Sequence, residues 1–258
     1  MVSSRIDSLT RTLHSAKPEI RPERALHATE SYNESEGLPI EIRRAKMLER
    51  VLTKAPVKIR EGELIVGCKT PQPLGSPLYP EVACDWIVKE INAIGKRKEA
   101  PFFVSERTKN ILEKKVFQYW KGRQVYNRIM ESIPKEVKDT IDEGIFFHYY
   151  LNRTIGHITV NYEKVIRKGL NQIKGEIEEE FAKLDFERRE CLRKMNLLKA
   201  MLIASDAAVK FARRYADEAR RLAKSEKRLS RRDELERIAE ICDHVPANPA
   251  RTFHEALQ

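Results

Sequence analysis

The sequence predicts a mainly α-helical fold of layered helices with one small β-hairpin. Three observations carry this reading. Six or more stretches space their apolar residues three and four apart, a single short β-prone run lies between Val57 and Gly67, and small residues recur along the last third in a seam suited to close helix packing.

Length and composition bound the class. A chain of 258 residues, 41% apolar, can bury a proper core as one large domain or two small ones. No run approaches the roughly 18 consecutive apolar residues of a membrane span, and the polar opening does not read as a signal peptide, so a cytoplasmic protein is expected. Cys68, Cys84, Cys191 and Cys242 are scattered, with no C-x-x-C pair and no histidine at metal-ligand spacing. They are expected to be reduced, structural thiols that hold no metal. The net charge is +10, yet charged residues make up 34% of the chain, so the excess is spread over a mixed-sign surface.

The elements follow in order. Arg5 to Leu13 is a short amphipathic helix, stopped by Pro18 and Pro22. Arg24 to Tyr32 and Ile40 to Leu52 are helical, the second with Ile42, Ala45, Leu48 and Leu52 on one face. Val57 to Gly67 reads as the hairpin, turning at Glu61-Gly62. The proline-rich stretch from Thr70 to Pro80 is an irregular crossing, and a helix starting just after Pro80 carries Val82, Trp86, Ile87, Ile91 and Ile94. Ser105 caps a helix from Glu106 to Trp120, and Pro134 to about Asp142 is helical. Asn161 caps a helix whose apolar face is Val165, Ile166, Leu170, Ile173, Ile177, Phe181 and Leu184. A long helix from Met195 carries Leu198, Leu202, Ser205, Val209, Ala212, Ala216, Ala219 and Ala223 in a narrow seam. Ser230 and Asp233 form a capping box for Glu234 to Ile241. The last residues, Phe253 to Gln258, sit in the first turns of an apolar-spaced helix, so the polypeptide reads as cut.

Two constellations invite functional readings. The basic half, Lys183 to Arg237, could neutralise phosphates, but 17 Lys or Arg and 11 Asp or Glu interleave between Phe181 and Glu240. It is read as a solvated face laced with i,i+4 ion pairs, and nucleic acid is not expected as a partner. The second is the string from Tyr149 to Tyr162, in which Tyr149 and His157 flank a glycine-hinged loop just before a helix start. Backbone N–H groups and the positive end of a helix dipole are available there, which suits a small-molecule substrate. On the pattern alone, a core tyrosine and a hydrogen-bonded structural histidine are the commoner origin of such residues.

A series of strings in order changes that balance. Arg24-Ala25, Thr29-Glu30-Ser31-Tyr32, Glu36-Gly37-x-Pro39, Arg43-Arg44-Ala45, Glu63-Leu64-Ile65-Val66-Gly67 and Pro80-Glu81 with Trp86 are followed by Gly156-His157-Ile158-Thr159, Tyr162-Glu163-Lys164-Val165 and Arg251-Thr252-Phe253-His254-Glu255-Ala256. Together they resemble the opening of the glycyl-radical enzymes, in the group of pyruvate formate-lyase-like proteins and glycerol dehydratases. The resemblance implies that residues 1–258 are the N-terminal, helical part of a pyruvate formate-lyase-like (PFL) domain about three times as long. In that domain a ten-stranded α/β barrel holds a catalytic cysteine loop against a glycine-radical loop. Gly67-Cys68 continues Lys-Thr where the family's cysteine motif continues with an apolar residue and Glu, and the Arg-Val-x-Gly-Tyr radical motif is absent. No catalytic residue is therefore expected in this chain.

The resemblance also implies a glycyl radical installed by a separate S-adenosylmethionine-dependent iron–sulfur activase, a homodimer at full length, and Tyr149 and His157 as substrate-binding residues. Family members that act on pyruvate carry an arginine where His157 stands, because a guanidinium holds a carboxylate bidentately. His157 thus points to a lyase or dehydratase that eliminates a neighbouring group from a hydroxylated small molecule. The alternatives are a formate C-acetyltransferase and, from a different class, a stand-alone helical interaction module with a basic surface.

Overall fold

The computed structural model describes residues 4–145, 159–188 and 190–258. Among them helices predominate, joined by irregular stretches and two three-residue strands, and the chain divides into two compact units. No helix among the described residues is long and apolar enough to cross a membrane.

One unit comprises Lys17–Asn33 and Gly75–Val160. Strand β1 (Glu19–Arg21) pairs in parallel with β2 (Gly75–Pro77), Ile20 opposite Ser76, and the Ile20 N–H donates to Phe103 O at 2.9 Å. This sheet lies where prolines 18, 22 and 77 argue for loop, and three residues per strand are too few to show an alternation. Helix α2 (Glu23–Glu34) buries Ala25, Ala28, Thr29, Ser31 and Tyr32. The Thr29 hydroxyl donates to Ala25 O at 2.7 Å and accepts Trp120 Nε1–H at 2.9 Å, while the Tyr32 and Trp120 rings meet edge to face, centroids 5.1 Å apart.

Helix α4 (Asp85–Glu90) starts later than the apolar spacing after Pro80 suggests. Val82 and Ala83 are held in a turn on Tyr79 O, and the buried Gln124 side chain takes the Cys84 N–H. Ile87, Ile91 and Ile94 are buried as that spacing requires, and Trp86 stays exposed. Ser105 caps α5 (Glu106–Ile111), accepting Thr108 N–H at 3.1 Å, and the helix continues through a π turn (Leu112–Phe117) into α6 (Gln118–Trp120). Helix α7 (Val125–Ser132) spaces Val125 and Ile129 four apart but buries none of its residues; α8 (Lys135–Asp142) follows Pro134.

The other unit comprises Met1–Ala16, Glu34–Leu74 and Asn161–Gln258. It holds α1 (Ser4–Ser15), α3 (Ile40–Lys54), α9 (Tyr162–Ala182), α10 (Cys191–Ser225), α11 (Leu229–His244) and α12 (Phe253–Leu257). The 35-residue α10 is the spine, packed against α3, α9 and α11. Within the predicted seam Leu198, Val209, Ala216, Ala219 and Ala223 are buried. Tyr215, Ala216, Ala219 and Ala223 meet Leu235, Ile238, Ala239 and Cys242 of α11 in one core with Ile59, the small side chains letting the two helices approach closely.

Three expectations are corrected in this unit. The Val57–Gly67 hairpin does not form: the turn at Glu61-Gly62 is present, with Gly62 at φ +79° and Glu63 N–H on Arg60 O at 3.2 Å, but its arms do not pair. Their carbonyls are taken by side chains from elsewhere. Arg231 donates to Arg60 O and Glu63 O, both at 3.0 Å, Arg5 to Gly62 O at 3.1 Å, His254 to Leu64 O at 3.1 Å, and Gln258 bonds both Val66 N at 2.9 Å and Val66 O at 3.0 Å. The β-prone composition reflects burial of Ile59 and partial burial of Val57 and Val66 against the α10–α11 core.

The Ser230–Asp233 capping box is also absent, because α11 already begins at Leu229, where Glu226 accepts the Arg228 N–H at 2.9 Å. Finally, the continuous apolar face of α9 is broken at Gly169, which has φ 70° and ψ 162°. Of the residues on that face only Ile177 is buried, and Leu184 lies beyond the helix end.

Candidate functional site

Tyr149 and His157, the residues expected to bind substrate, lie outside the described residues. The structure does give the two chain ends that lead to them, one in each unit. On one side α8 closes with the Glu143 N–H on Asp139 O at 2.9 Å and Gly144 N–H on Ile141 O at 3.1 Å, Gly144 taking the left-handed φ of +74° that ends a helix. On the other, Asn161 caps α9, its Oδ1 accepting Lys164 N–H at 2.9 Å as its sequence position predicts.

The first turns of α9 are then locked in place. At Gly169 the helix opens, and the N–H groups of Leu170 and Asn171 bond Pro246 O at 2.8 Å and Ala247 O at 2.9 Å, while Ala250 N–H returns to Ile166 O at 2.9 Å. Glu176 spans the break by binding Lys164 and Lys168 together, which pulls its carboxyl down to about 2. This anchor was not read from the sequence. The available signal was a glycine inside an otherwise unbroken apolar spacing.

Two of the cysteines are disfavoured as thiolates. Burial, aided by Asp85 and Glu81, pushes the Cys84 thiol up to about 12, and burial alone does the same to Cys242. Cys191 is buried, and the half-buried Cys68 lies 3.5 Å from the Tyr215 hydroxyl. Among the described residues no three His, Cys, Asp or Glu side chains are grouped to hold a metal ion. The basic helices carry ion pairs such as Arg221–Glu218, Arg237–Glu240 and Lys183–Glu180, mostly three residues apart where four was expected.

Several of the strings that carry the family resemblance act as fasteners. Arg24 grips the Glu81 carboxylate with both nitrogens, donates to Leu78 O at 3.2 Å and stacks over Tyr79 at 3.9 Å from the ring centroid. Thr29 and Tyr32 engage Trp120. Near the end, the buried Glu255 accepts Arg251 N–H at 2.6 Å and pairs with the Arg251 guanidinium, while its own N–H bonds Thr252 Oγ1 at 3.2 Å. Each is a scaffold bond. Sequence reasoning passed over two further fasteners, both buried: Gln124, whose amide holds Cys84, Asp85 and Trp120, and Arg231.

Comparison with known proteins matches this arrangement closely. A family model described as pyruvate formate lyase-like matches residues 2–258. The chain is 35% identical to a trans-4-hydroxy-L-proline dehydratase of Clostridioides difficile over 94% of its own length and 31% of the dehydratase. It is 34% identical to an isethionate sulfite-lyase of Nitratidesulfovibrio vulgaris, covering 98% of this chain and 32% of the lyase. The solved, glycerol-bound form of the B12-independent glycerol dehydratase from Clostridium butyricum superposes with a TM-score of 0.95 at 33% identity, over 98% of this chain and 32% of that one. The chain thus spans about a third of the length of the curated relatives it matches. With its helical architecture and its fastening residues accounted for, the chain belongs to the pyruvate formate lyase-like family of glycyl-radical enzymes.

Proposed function

We propose that this chain serves as the N-terminal helical part of a glycyl-radical lyase or dehydratase that eliminates a neighbouring group from a hydroxylated small molecule. The observation that carries the reading is the superposition of 98% of this chain on about a third of a glycerol dehydratase, at 33% identity. The relatives named for removing water or sulfite favour elimination over acetyl transfer. Hydrogen-atom abstraction would be supplied by a glycyl radical outside this chain, installed by an S-adenosylmethionine-dependent iron–sulfur activase. This chain's share is Tyr149 and His157: the phenol and imidazole orient the substrate hydroxyl by hydrogen bonds, and the imidazole can accept its proton near neutral pH. A cytoplasmic setting and a homodimer of the family-length polypeptide belong to the same reading.

The test is anaerobic activation of a family-length polypeptide carrying this sequence, followed by incubation with glycerol, trans-4-hydroxy-L-proline, isethionate and pyruvate. Turnover of a hydroxylated substrate with a glycyl-type doublet in electron paramagnetic resonance supports the proposal. Turnover of pyruvate alone would replace it with acetyl transfer. A monodisperse 258-residue chain that no activase recognises in any form would favour the interaction module.

A further inference from the structure

We draw no further inference here: the strongest candidate, the 460 Å³ concavity where α10 gives way to α11, lined by Arg60, Lys227, Arg228 and Arg231 over Ile59 and Leu235, carries nothing because Glu61, Glu63, Glu226 and Glu234 and four backbone carbonyls already engage each of its three guanidinium groups, leaving only the buried Arg60 Nε over, and nothing among the described residues points to a ligand.

Discussion

Gly169 and Asn248 approach so closely that a Cβ on the glycine would stand 2.5 Å from the Asn248 carbonyl carbon. Neither backbone can yield easily, since Leu170 and Asn171 are bonded to the carbonyls just before Asn248. Gly169→Ala therefore combines a left-handed φ with a backbone collision and should cost about 3 kcal/mol or more. Gly175, in the same helix with open space around it, is the control: Gly175→Ala should stabilise by about 0.5–1 kcal/mol. Urea midpoints of the two variants should move in opposite directions, and equal shifts would refute the junction.

Arg231 is buried, and its guanidinium holds Glu234 and the carbonyls of Arg60 and Glu63. Arg231→Met strips Glu63 O of its side-chain donor and leaves Arg60 O with only the Glu63 N–H and Glu234 with only Arg5, and should destabilise by about 2–3 kcal/mol. Arg231→Lys should rescue little, because an ammonium cannot reproduce the planar fork. Limited proteolysis should then cut within residues 60–66 before anywhere else in that unit; unchanged cleavage would show that the loop stands without the arginine.

Arg251, through its guanidinium and its backbone N–H, holds the Glu255 carboxyl down to about 2, against an ordinary 4.5. A depressed folded value means that this stabilisation is fully present above about pH 4.5 and is lost as the pH falls toward 2. The exposed guanidinium limits it to about 1–2 kcal/mol. Glu255→Gln should be less stable than the parent at pH 6, with the gap closing as the pH drops through that window. Melting temperatures of both proteins across pH 6 to 2 would show it, and a gap that stays constant would contradict the assignment.

Within a family-length enzyme, His157→Ala should lower turnover by roughly 10²–10³ through loss of a polar contact made in the transition state, about 2–4 kcal/mol. Radical content and melting temperature should be unchanged, because on the proposed reading the radical residue lies outside residues 1–258. A histidine that is merely structural would lower stability and radical yield together, through a lost buried hydrogen bond of about 1–3 kcal/mol. Tyr149→Phe, measured on the same three quantities, separates the hydroxyl from the ring.

Much of the helical fold could be read from the chain because its causes are local. Ser105 and Asn161 cap the helices they were expected to cap, and the alanine spacing of α10 marks the face that meets α11. What could not be read depends on partners distant in sequence. The backbone of residues 60–66 looks like strand until its carbonyls are given to Arg231, Arg5, His254 and Gln258, up to 192 residues away. The β1–β2 sheet is too short to leave a pattern, and the break at Gly169 is compensated by residues 246–250. For the site, the spacing pointed to Tyr149 and His157, while only the family resemblance gave them a role.

The grip of Arg24 on Glu81 and the seat of Thr29 and Tyr32 against Trp120 have a consequence for how such chains are recognised. These residues are engaged with one another inside the scaffold, so a change of substrate by itself gives no physical reason to alter them. They report architecture independently of specificity, and assigning a substrate within this family requires reading the residues that face the reacting molecule.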